Sequence, residues 1–435
     1  MAHPAVLRNL VEQYETLEIL GAEAGSPAVR QRLADVAYSL CVATGTRDVD
    51  AALVAARHGL PGARRGRLPV VRLSRRALRG TPRTAGEQRS GRGRTKAEVD
   101  MKEQLNNPGI PLPREADPFD HPAFFYSGEQ EYVAGTVPYL LDGLAAGDPV
   151  AVAVPGPQLE LLRSALGGRA SEVRMLDMTQ AGRNPGRIIP GVLRSFADAA
   201  PAGTRPRIIG EPIWAGRSAT EYPACVQHEA LINLAFEGRT VSILCPYDAA
   251  RLPETVLADA RATHPVLRDA ASERPSDAYA VERMIRRYNE PFPPPVEAVS
   301  LKFSSEDLPE ARILASDEAR RAGLDRSRVT DLELAVSELA TNTVLHGGGS
   351  GTLHAWTEDG HFVCEVRDRG HISDPLAGRR PVEPAAVGGR GILMVNQVAD
   401  LVRVHTSVTG TAVRVYFALP TPQDGPGTAA AARGR

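Results

Sequence analysis

The stretch "ELATNTVLHGGG", residues 338–349, ends a segment whose apolar residues follow a helical period. From residue 329 to residue 344 they recur at the spacing of one buried helix face. Glu338 and Asn342 are four residues apart, so in a helix they lie together on another face. Three glycines follow His346 and favour the end of the helix. The stretch therefore predicts a helix with one buried side and a carboxylate beside an amide on another side.

The pair formed by Glu338 and Asn342 has two interpretations. An exposed polar face is the ordinary explanation for such residues in a surface helix. Their oxygen atoms are also the ligands that Mg²⁺ prefers, and Mg²⁺ in turn bridges nucleotide phosphates. The residues that follow in the chain decide between the two.

A strand and a glycine-rich segment come next. "HFVCEVRDRGH", residues 361–371, has the alternation of a strand and brings Asp368 to its end, followed by Gly370. A carboxylate there can accept a hydrogen bond from an adenine amino group, and the glycine allows the backbone to come close. "AVGGRGILMVNQVAD", residues 386–400, places glycines before a helix, where backbone N–H groups form an anion site. These glycines are Gly388, Gly389 and Gly391.

The last piece is "VRVHTSVTGTAVRVYFAL", residues 402–419, which is typical of a β-hairpin with Gly410 and Thr411 at its turn. Taken in this order, the four pieces resemble the GHKL ATPases, in the branch that contains the anti-sigma-factor serine/threonine kinases. The resemblance covers residues 297–421. It implies a sheet of mixed strand direction backed by helices, with ATP bound between the helices and a lid.

The resemblance also implies a role for each candidate residue. Asn342 would hold Mg²⁺, and Glu338 would be the catalytic base or the group that positions water. The remaining candidates are Asp368 and Gly370 beside adenine, Gly388, Gly389 and Gly391 in the phosphate lid, and Thr411 as a second contact on the adenine side.

One position departs from the family pattern. Where that family has the motif DxGxG, this chain has "DRGHI", so Ile372 replaces the second glycine. A β-branched residue does not readily adopt a left-handed backbone. We therefore expect a different loop beside adenine and a reduced affinity for ATP, and whether ATP is turned over stays open.

Residues 116–292 alternate between strand-like and helical segments. Strands are predicted at residues 148–155, 171–178, 206–214 and 239–248. This alternation predicts a mostly parallel sheet with helices on both faces, whose ligands bind at the carboxyl ends of the strands.

The opening "HPAFFYSGEQEY" and the closing "EYPACVQHEALINLAFEGRTVSILCPYD" of this segment resemble the MEDS sensory domain. That resemblance implies a ligand that is either a small hydrocarbon-like molecule or a metal. The segment lacks the P-loop pattern GxxxxGK[ST], so a P-loop nucleotide site is not predicted.

Six residues are candidates for contact with the sensory ligand: His121, Glu211, Trp214, Cys225, His228 and Tyr247. A metal set is one interpretation, with Cys225 and His228 on one helix face and with Glu229, Cys245 and His121 nearby. In a second interpretation the cysteines are small buried apolar residues. In a third, the pocket binds its ligand without a metal.

"HEALIN", residues 228–233, also suggests the phospho-acceptor histidine of a sensor histidine kinase. A strand pattern follows this helix directly. Proline-rich sequence, "YNEPFPPPVEA" at residues 288–298, occupies the place where a dimerisation hairpin would precede the ATPase. Both features disfavour that class, which remains an alternative.

The ends of the chain have simpler patterns. Residues 1–60 predict a small helical unit similar to a domain of unknown function, and residues 422–435 a disordered tail. Residues 61–115 predict a linker, because eleven arginines and one acid between residues 61 and 95 leave little apolar surface to bury. A basic arm that contacts nucleic acid or an acidic protein is the alternative.

Composition narrows the class of protein. The 435 residues carry a net charge of −1, so no polyanionic partner is expected. The cysteines are scattered and no apolar run is long enough to span a bilayer, which predicts a cytoplasmic protein without a membrane partner. The layout resembles actinobacterial anti-sigma regulatory factors. It implies a ligand-responsive regulator that uses ATP and Mg²⁺, with an anti-sigma antagonist or a sigma factor as partner, while a nucleotide-binding switch without turnover and a homodimer both stay open.

Overall fold

The computed structural model describes residues 48–59, 118–381 and 390–420, together with a few positions before residue 48. The predicted linker at 61–115, the candidate residues Gly388 and Gly389, and the tail at 422–435 lie outside the described residues. Within them, no helix combines the length and the apolar character that crossing a membrane requires.

The elements of the described residues are numbered in chain order. The strands are β1 (Pro122–Tyr126), β2 (Val150–Val154), β3 (Arg174–Asp177), β4 (Arg207–Gly210), β5 (Ser242–Asp248), β6 (Val266–Arg268), β7 (Glu273–Pro275), β8 (Val299–Ser304), β9 (Ser350–Glu358), β10 (His361–Asp368), β11 (Leu401–Ser407) and β12 (Gly410–Ala418). The α-helices are α1 (Val49–Gly59), α2 (Gly128–Ala146), α3 (Gly156–Leu166), α4 (Met178–Ala181), α5 (Ser195–Ala197), α6 (Tyr222–Phe236), α7 (Glu254–Thr263), α8 (Val281–Arg287), α9 (Leu308–Arg321), α10 (Arg326–His346) and α11 (Gly391–Val398). Gly167–Glu172 and Pro185–Arg187 form 3₁₀ turns, and Ile188–Arg194 is a π-helix.

The first sheet has the strand order β3-β2-β4-β5-β1-β6-β7. All its described pairs are parallel except the edge pair of β6 and β7. In β2 every residue is buried, because Val150, Val152 and Val154 pack into one apolar cluster and Ala151 and Ala153 into the other. Continuous apolar strands of this kind are expected where helices cover both faces of a parallel sheet. The predicted α/β class is confirmed.

Three strands of this sheet were not predicted from sequence. β1 begins with Pro122 yet lies between β5 and β6 in the interior of the sheet, while β6 and β7 have three residues each. A proline is tolerated at the first residue of a strand, where no ladder donor is lost. Strands of three residues carry too short a pattern to be distinguished from a loop.

The second sheet has the strand order β11-β12-β10-β9-β8. Every described pair in it is antiparallel, which corrects the expectation of mixed strand direction. Helices α9, α10 and α11 pack on the sheet and share its apolar core, in which Leu332, Val336 and Leu339 of α10 are buried. The helix predicted from the sequence around residue 338 is therefore present, with its apolar side on the sheet.

Candidate functional site

A cavity of about 610 Å³ lies between α10, the ends of β10 and β12, and the segment that joins β10 to α11. We call residues 369–381, which are the described part of this connection directly after β10, the β10–α11 segment. The polar residues that line the cavity are Asn342, Thr343, His346, Asp368, His371, Asp374, Arg380 and Thr411. A cavity of this size, part apolar and part polar, is of the kind that binds small ligands and cofactors.

Asp368 ends β10 at the wall of this cavity and is held by two hydrogen bonds. Its Oδ2 accepts from the Thr343 hydroxyl of α10 at 2.8 Å, and its Oδ1 accepts from the Gly370 backbone N–H at 2.8 Å. A Cβ on Gly347 would lie 2.4 Å from the Asp368 carboxyl carbon. The glycine after α10 is therefore needed for the helix end and this carboxylate to approach each other.

Thr411 pairs with Asp368 in the register of β10 and β12, and its hydroxyl belongs to a chain of hydrogen bonds. The Ile372 backbone N–H donates to Thr406 Oγ1 at 2.9 Å, and the two threonine hydroxyls are 2.8 Å apart. Thr411 then donates to the Gly370 carbonyl oxygen at 2.9 Å. This series of hydrogen bonds fixes the loop beside Asp368.

Ile372 replaces the second glycine of the family motif, and its backbone in this loop is not left-handed. Among the described residues, the non-glycine residues with positive φ are Glu297 and Asp359. The Ile372 N–H donates to a threonine hydroxyl in this loop, and the expected difference from the glycine-containing pattern stays a prediction.

Glu338 and Asn342 face the first residue of α11. A Cβ built on Gly391 would lie 2.9 Å from Glu338 Oε2 and 3.1 Å from Asn342 Nδ2. The pair predicted to share a helix face therefore does so, and a larger residue at position 391 would displace the ends of these two side chains. Asn342 and Gly391 line the cavity.

The β10–α11 segment also contacts the first sheet. Leu376 is buried in an apolar cluster of that sheet's helices and strands. Arg379 is buried as well, and its Nη1 donates to the Pro185 carbonyl oxygen at 3.3 Å. Burial lowers the pKa of Arg379 to about 10, although the neighbouring Cys225 opposes this. One wall of the cavity is therefore attached to the other sheet.

Two asparagines extend this contact between the sheets. Asn184, ahead of the π-helix, donates from its Nδ2 to the backbone carbonyl oxygen of Asn396 in α11 at 2.9 Å. Asn289 donates to the Thr406 carbonyl oxygen at 2.8 Å and accepts from the Thr406 N–H at 3.0 Å. Residues around the cavity thus bond directly to two segments outside the second sheet, the one before the π-helix and the one that follows α8.

The structure separates the six sensory candidates. His121 lies directly before β1 and Tyr247 lies in β5. Both rings are near His264, His121 at 4.1 Å and Tyr247 at 5.6 Å between ring centroids. Glu211 lies elsewhere, after β4. Trp214 stacks under the Arg217 guanidinium, 4.0 Å from the ring centroid.

Glu211 is buried at the carboxyl ends of the parallel strands, with Tyr126 as its hydrogen-bond partner. Burial, and next the charge of Asp248, raise the pKa of Glu211 well above its usual range. Its Oε2 has no hydrogen-bond partner, and neither has the buried hydroxyl of Tyr132. These groups lie at the edge where α/β sheets commonly bind ligands.

A compact cluster of four buried side chains forms around Glu229 of α6. The other members are His121, Cys245 of β5 and His264, and one ligand atom from each lies within 4.8 Å of the others. We call these four residues the His–Glu–Cys–His cluster. Burial lowers the pKa of His121, and burial together with Glu229 raises the pKa of Cys245.

His264 was missed from the sequence, although a signal for it exists. His121 and His264 each precede a proline, in "HPAFF" and "HPVLR", and each stands just before a strand. A residue before proline favours an extended backbone. Because β1 and β6 are neighbours in parallel register, the two His-Pro pairs bring both rings to one place.

Cys225 and His228, the pair that suggested a metal set, lie outside this cluster. Burial raises the pKa of the Cys225 thiol to about 12 and lowers the pKa of His228 to about 3. The His228 ring is 1% exposed, which does not fit a histidine that accepts phosphate from ATP. The interpretation of "HEALIN" as a phospho-acceptor segment is thus disfavoured by burial.

Three family models match successive parts of this chain. Residues 1–63 match a protein of unknown function, DUF5133. Residues 120–265 match MEDS, the methanogen/methylotroph DcmR sensory domain. Residues 301–417 match the histidine kinase-like ATPase domain.

Curated relatives match the same C-terminal part. The serine-protein kinase RsbW of Halalkalibacterium halodurans is 26% identical over 118 residues, which are 24% of this chain and 73% of the relative. RsbW of Oceanobacillus iheyensis is 28% identical over 109 residues, 22% of this chain and 69% of the relative.

A solved structure of the RsbU and RsbW domains of Rv1364c from Mycobacterium tuberculosis is 20% identical, with a TM-score of 0.23. The match covers 29% of this chain and 34% of that one, so the chain spans about a third of the solved protein. The chain therefore contains one region that matches the MEDS sensory domain and a second that matches the histidine kinase-like ATPase domain, and the second is similar to the serine-protein kinase RsbW.

Proposed function

We propose that this protein binds Mg²⁺-ATP in the 610 Å³ cavity and phosphorylates a protein partner on serine or threonine, under the control of its MEDS region. The observation that carries the proposal is the convergence of Asn342, Asp368, Thr411 and Gly391 on one cavity. Similarity to RsbW serine-protein kinases supports the same activity.

Each residue then has a physical role. Asp368 accepts from the adenine amino group, and its two hydrogen bonds hold the carboxylate in place before ATP arrives. Asn342 supplies an oxygen ligand to Mg²⁺, which neutralises the phosphates. Gly391 begins α11, whose first N–H groups suit an anion.

Glu338 is proposed to act on the attacking hydroxyl of the partner. Its carboxylate lies against the start of α11, on the same helix face as Asn342. A general base at that place takes the proton of the hydroxyl as phosphate is transferred. The proposed partner is an anti-sigma antagonist, and a sigma factor is the second partner expected of this class.

Control by the MEDS region is proposed to pass through the contact between the sheets. A small molecule bound beside the first sheet alters the cavity wall through Arg379 and through the bond from Asn184 to Asn396. Loss of the Arg379 bond in Arg379→Met should weaken ATP binding on the order of ten- to 100-fold, since charged hydrogen bonds contribute about 1.5–3 kcal/mol and each 1.4 kcal/mol is a factor of about ten.

The test is calorimetry with ATP and Mg²⁺ on wild type and Asp368→Asn. We expect wild type to bind and the variant to lose affinity while keeping its circular dichroism. Asp317→Asn, a half-exposed carboxylate paired with Arg320 outside the cavity, is the matched control. Equal affinity in wild type and Asp368→Asn contradicts the site, and binding without phosphate transfer to any co-purified partner favours a nucleotide-binding switch.

A further inference from the structure

The His–Glu–Cys–His cluster has the dimensions of a metal centre. Glu229 Oε2 lies 3.4 Å from His121 Nε2 and 3.3 Å from His264 Nε2. Cys245 Sγ lies 3.4 Å from His121 Nε2 and 3.5 Å from Glu229 Oε2. Zinc bonds of about 2.0–2.3 Å in a tetrahedron require ligand–ligand edges of about 3.3–3.7 Å. These four distances match four of the six edges of such a tetrahedron, and all four ligand atoms lie within 4.8 Å of one another.

The outer partners fix the direction of both imidazole rings. His264 Nδ1 donates to the Ala260 carbonyl oxygen at 2.8 Å. His121 Nδ1 faces Asn233 Oδ1 at 3.2 Å, and the Asn233 amide nitrogen donates to three backbone carbonyl oxygens, which sets the orientation of the amide. With the proton on Nδ1, each ring presents the lone pair of Nε2 to the centre, as in metal-bound histidines.

The centre is therefore lined by acceptors and holds almost no donor. Two imidazole lone pairs and a carboxylate face one another, and only the Cys245 thiol can donate. Glu229 Oε1 and His264 Nε2 are buried without a hydrogen-bond partner. A buried group of this kind is costly unless a cation satisfies it.

We propose that His121, Glu229, Cys245 and His264 bind a divalent transition metal of the zinc type in four-coordinate geometry. Imidazole, thiolate and carboxylate suit zinc, whereas magnesium and calcium prefer oxygen alone. A carboxylate and a thiolate balance the charge of a divalent ion. All four side chains are at most 1% exposed, so the ligand set is closed and the site is structural in type.

Such a metal would join four parts of the first sheet: the starts of β1 and β6, the middle of β5, and α6. Helix α6 also carries Cys225, which lies beside Arg379 of the β10–α11 segment. The site therefore stabilises the helix that contacts the cavity wall. This proposal does not depend on ATP binding.

The test uses the untagged full-length chain, loaded with Zn²⁺ or Co²⁺ and then desalted. We expect about one metal per chain by mass spectrometry, and a thiolate-to-cobalt absorption band in the Co²⁺ form. Cys245→Ser should abolish that band, whereas Cys225→Ser, a buried cysteine outside the cluster, should keep it.

The histidines give a second matched pair. His264→Ala should lose the metal and His228→Ala should retain it, because His228 is buried but lies outside the cluster. Asn233→Ala should weaken affinity about 10- to 100-fold, the effect typical of removing an outer partner of a ligand.

Wild-type protein that holds no metal after loading, or a cobalt spectrum without the thiolate band, overturns the proposal. In that case the cluster is a hydrogen-bonded group with a protonated histidine. The wild-type spectrum decides this even if the variants of the cluster fail to fold.

Discussion

The Asn184 side-chain amide donates to the backbone carbonyl oxygen of Asn396 at 2.9 Å, and this bond joins the segment before the π-helix to α11 beside the cavity. Asn396 in turn donates from its Nδ2 to the Gly378 carbonyl oxygen at 3.1 Å, within the β10–α11 segment. Both asparagines are buried. The segment before the π-helix is thus connected to a wall of the proposed ATP site by two consecutive hydrogen bonds.

Gly186→Ala should destabilise this contact. A Cβ at this position would lie 1.9 Å from Asn396 Oδ1, so the asparagine must move. We expect a loss of about 1–3 kcal/mol in the free energy of unfolding, as for other overpacked sites, measured by urea denaturation. Gly168→Ala, whose Cβ would meet nothing within 4 Å, is the control. Equal stability of the two variants would show that the contact is not maintained in solution.

Asn342 and Glu338 should separate binding from transfer. Asn342→Ala should lose Mg²⁺-dependent ATP binding, because the phosphates lose the ion that neutralises them. Glu338→Gln should still bind ATP but transfer phosphate about 10²–10⁴ times more slowly, the typical cost of removing a general base. Calorimetry and single-turnover assays measure the two effects. If Glu338→Gln transfers phosphate at the wild-type rate, Glu338 is not the base.

Thr411→Val should weaken ATP binding with little change in size of the side chain. The variant cannot donate to the Gly370 carbonyl oxygen or bond with Thr406, so the loop beside Asp368 loosens. Two lost hydrogen bonds predict a decrease in affinity on the order of tenfold. Thr409→Val, at the exposed hairpin turn, should leave affinity unchanged. An unchanged affinity in Thr411→Val would contradict the role of this hydroxyl.

Glu211 should make the stability of the chain depend on pH. Its folded-state pKa is raised by burial, so its stabilising contribution is complete below the unfolded value of about 4.3 and is lost as pH rises. Glu211→Gln has no ionising group at this position. The urea midpoint of the variant, minus that of wild type, should therefore increase as pH rises from 5 to 8. Glu254→Gln, which replaces a largely exposed carboxylate paired with Arg261, is the control. A constant difference between wild type and Glu211→Gln across this range would disprove the buried ionisation.

The sequence predicted much of the second sheet's chemistry because its signals are local. Helical spacing put Glu338 and Asn342 on one face, and strand alternation put Asp368 at the end of β10. The sequence did not show that Gly391 approaches both helix residues. That approach depends on how α11 packs against α10, which no spacing within either segment encodes.

The sensory candidates show the limit of this reasoning. Cys225 and His228 were paired because they are three residues apart on one helix, yet Glu229 is the residue of α6 that meets His121 and His264. The three come from distant positions and are brought together by strand order. The register between two parallel strands depends on residues that are far apart in the chain. The repeated His-Pro pair was therefore the one local signal that His121 and His264 lie close together.

The sequence by itself determined the α/β class, the helix that carries Glu338 and Asn342, and the resemblance that assigns roles to Asp368 and Thr411. Periodicity and motif order suffice for these, since each depends on residues close together in the chain. The tertiary structure alone decided the antiparallel direction of the second sheet, the attachment of Arg379 to the first sheet, and the His–Glu–Cys–His cluster. Each of these depends on the packing of segments that are far apart in sequence.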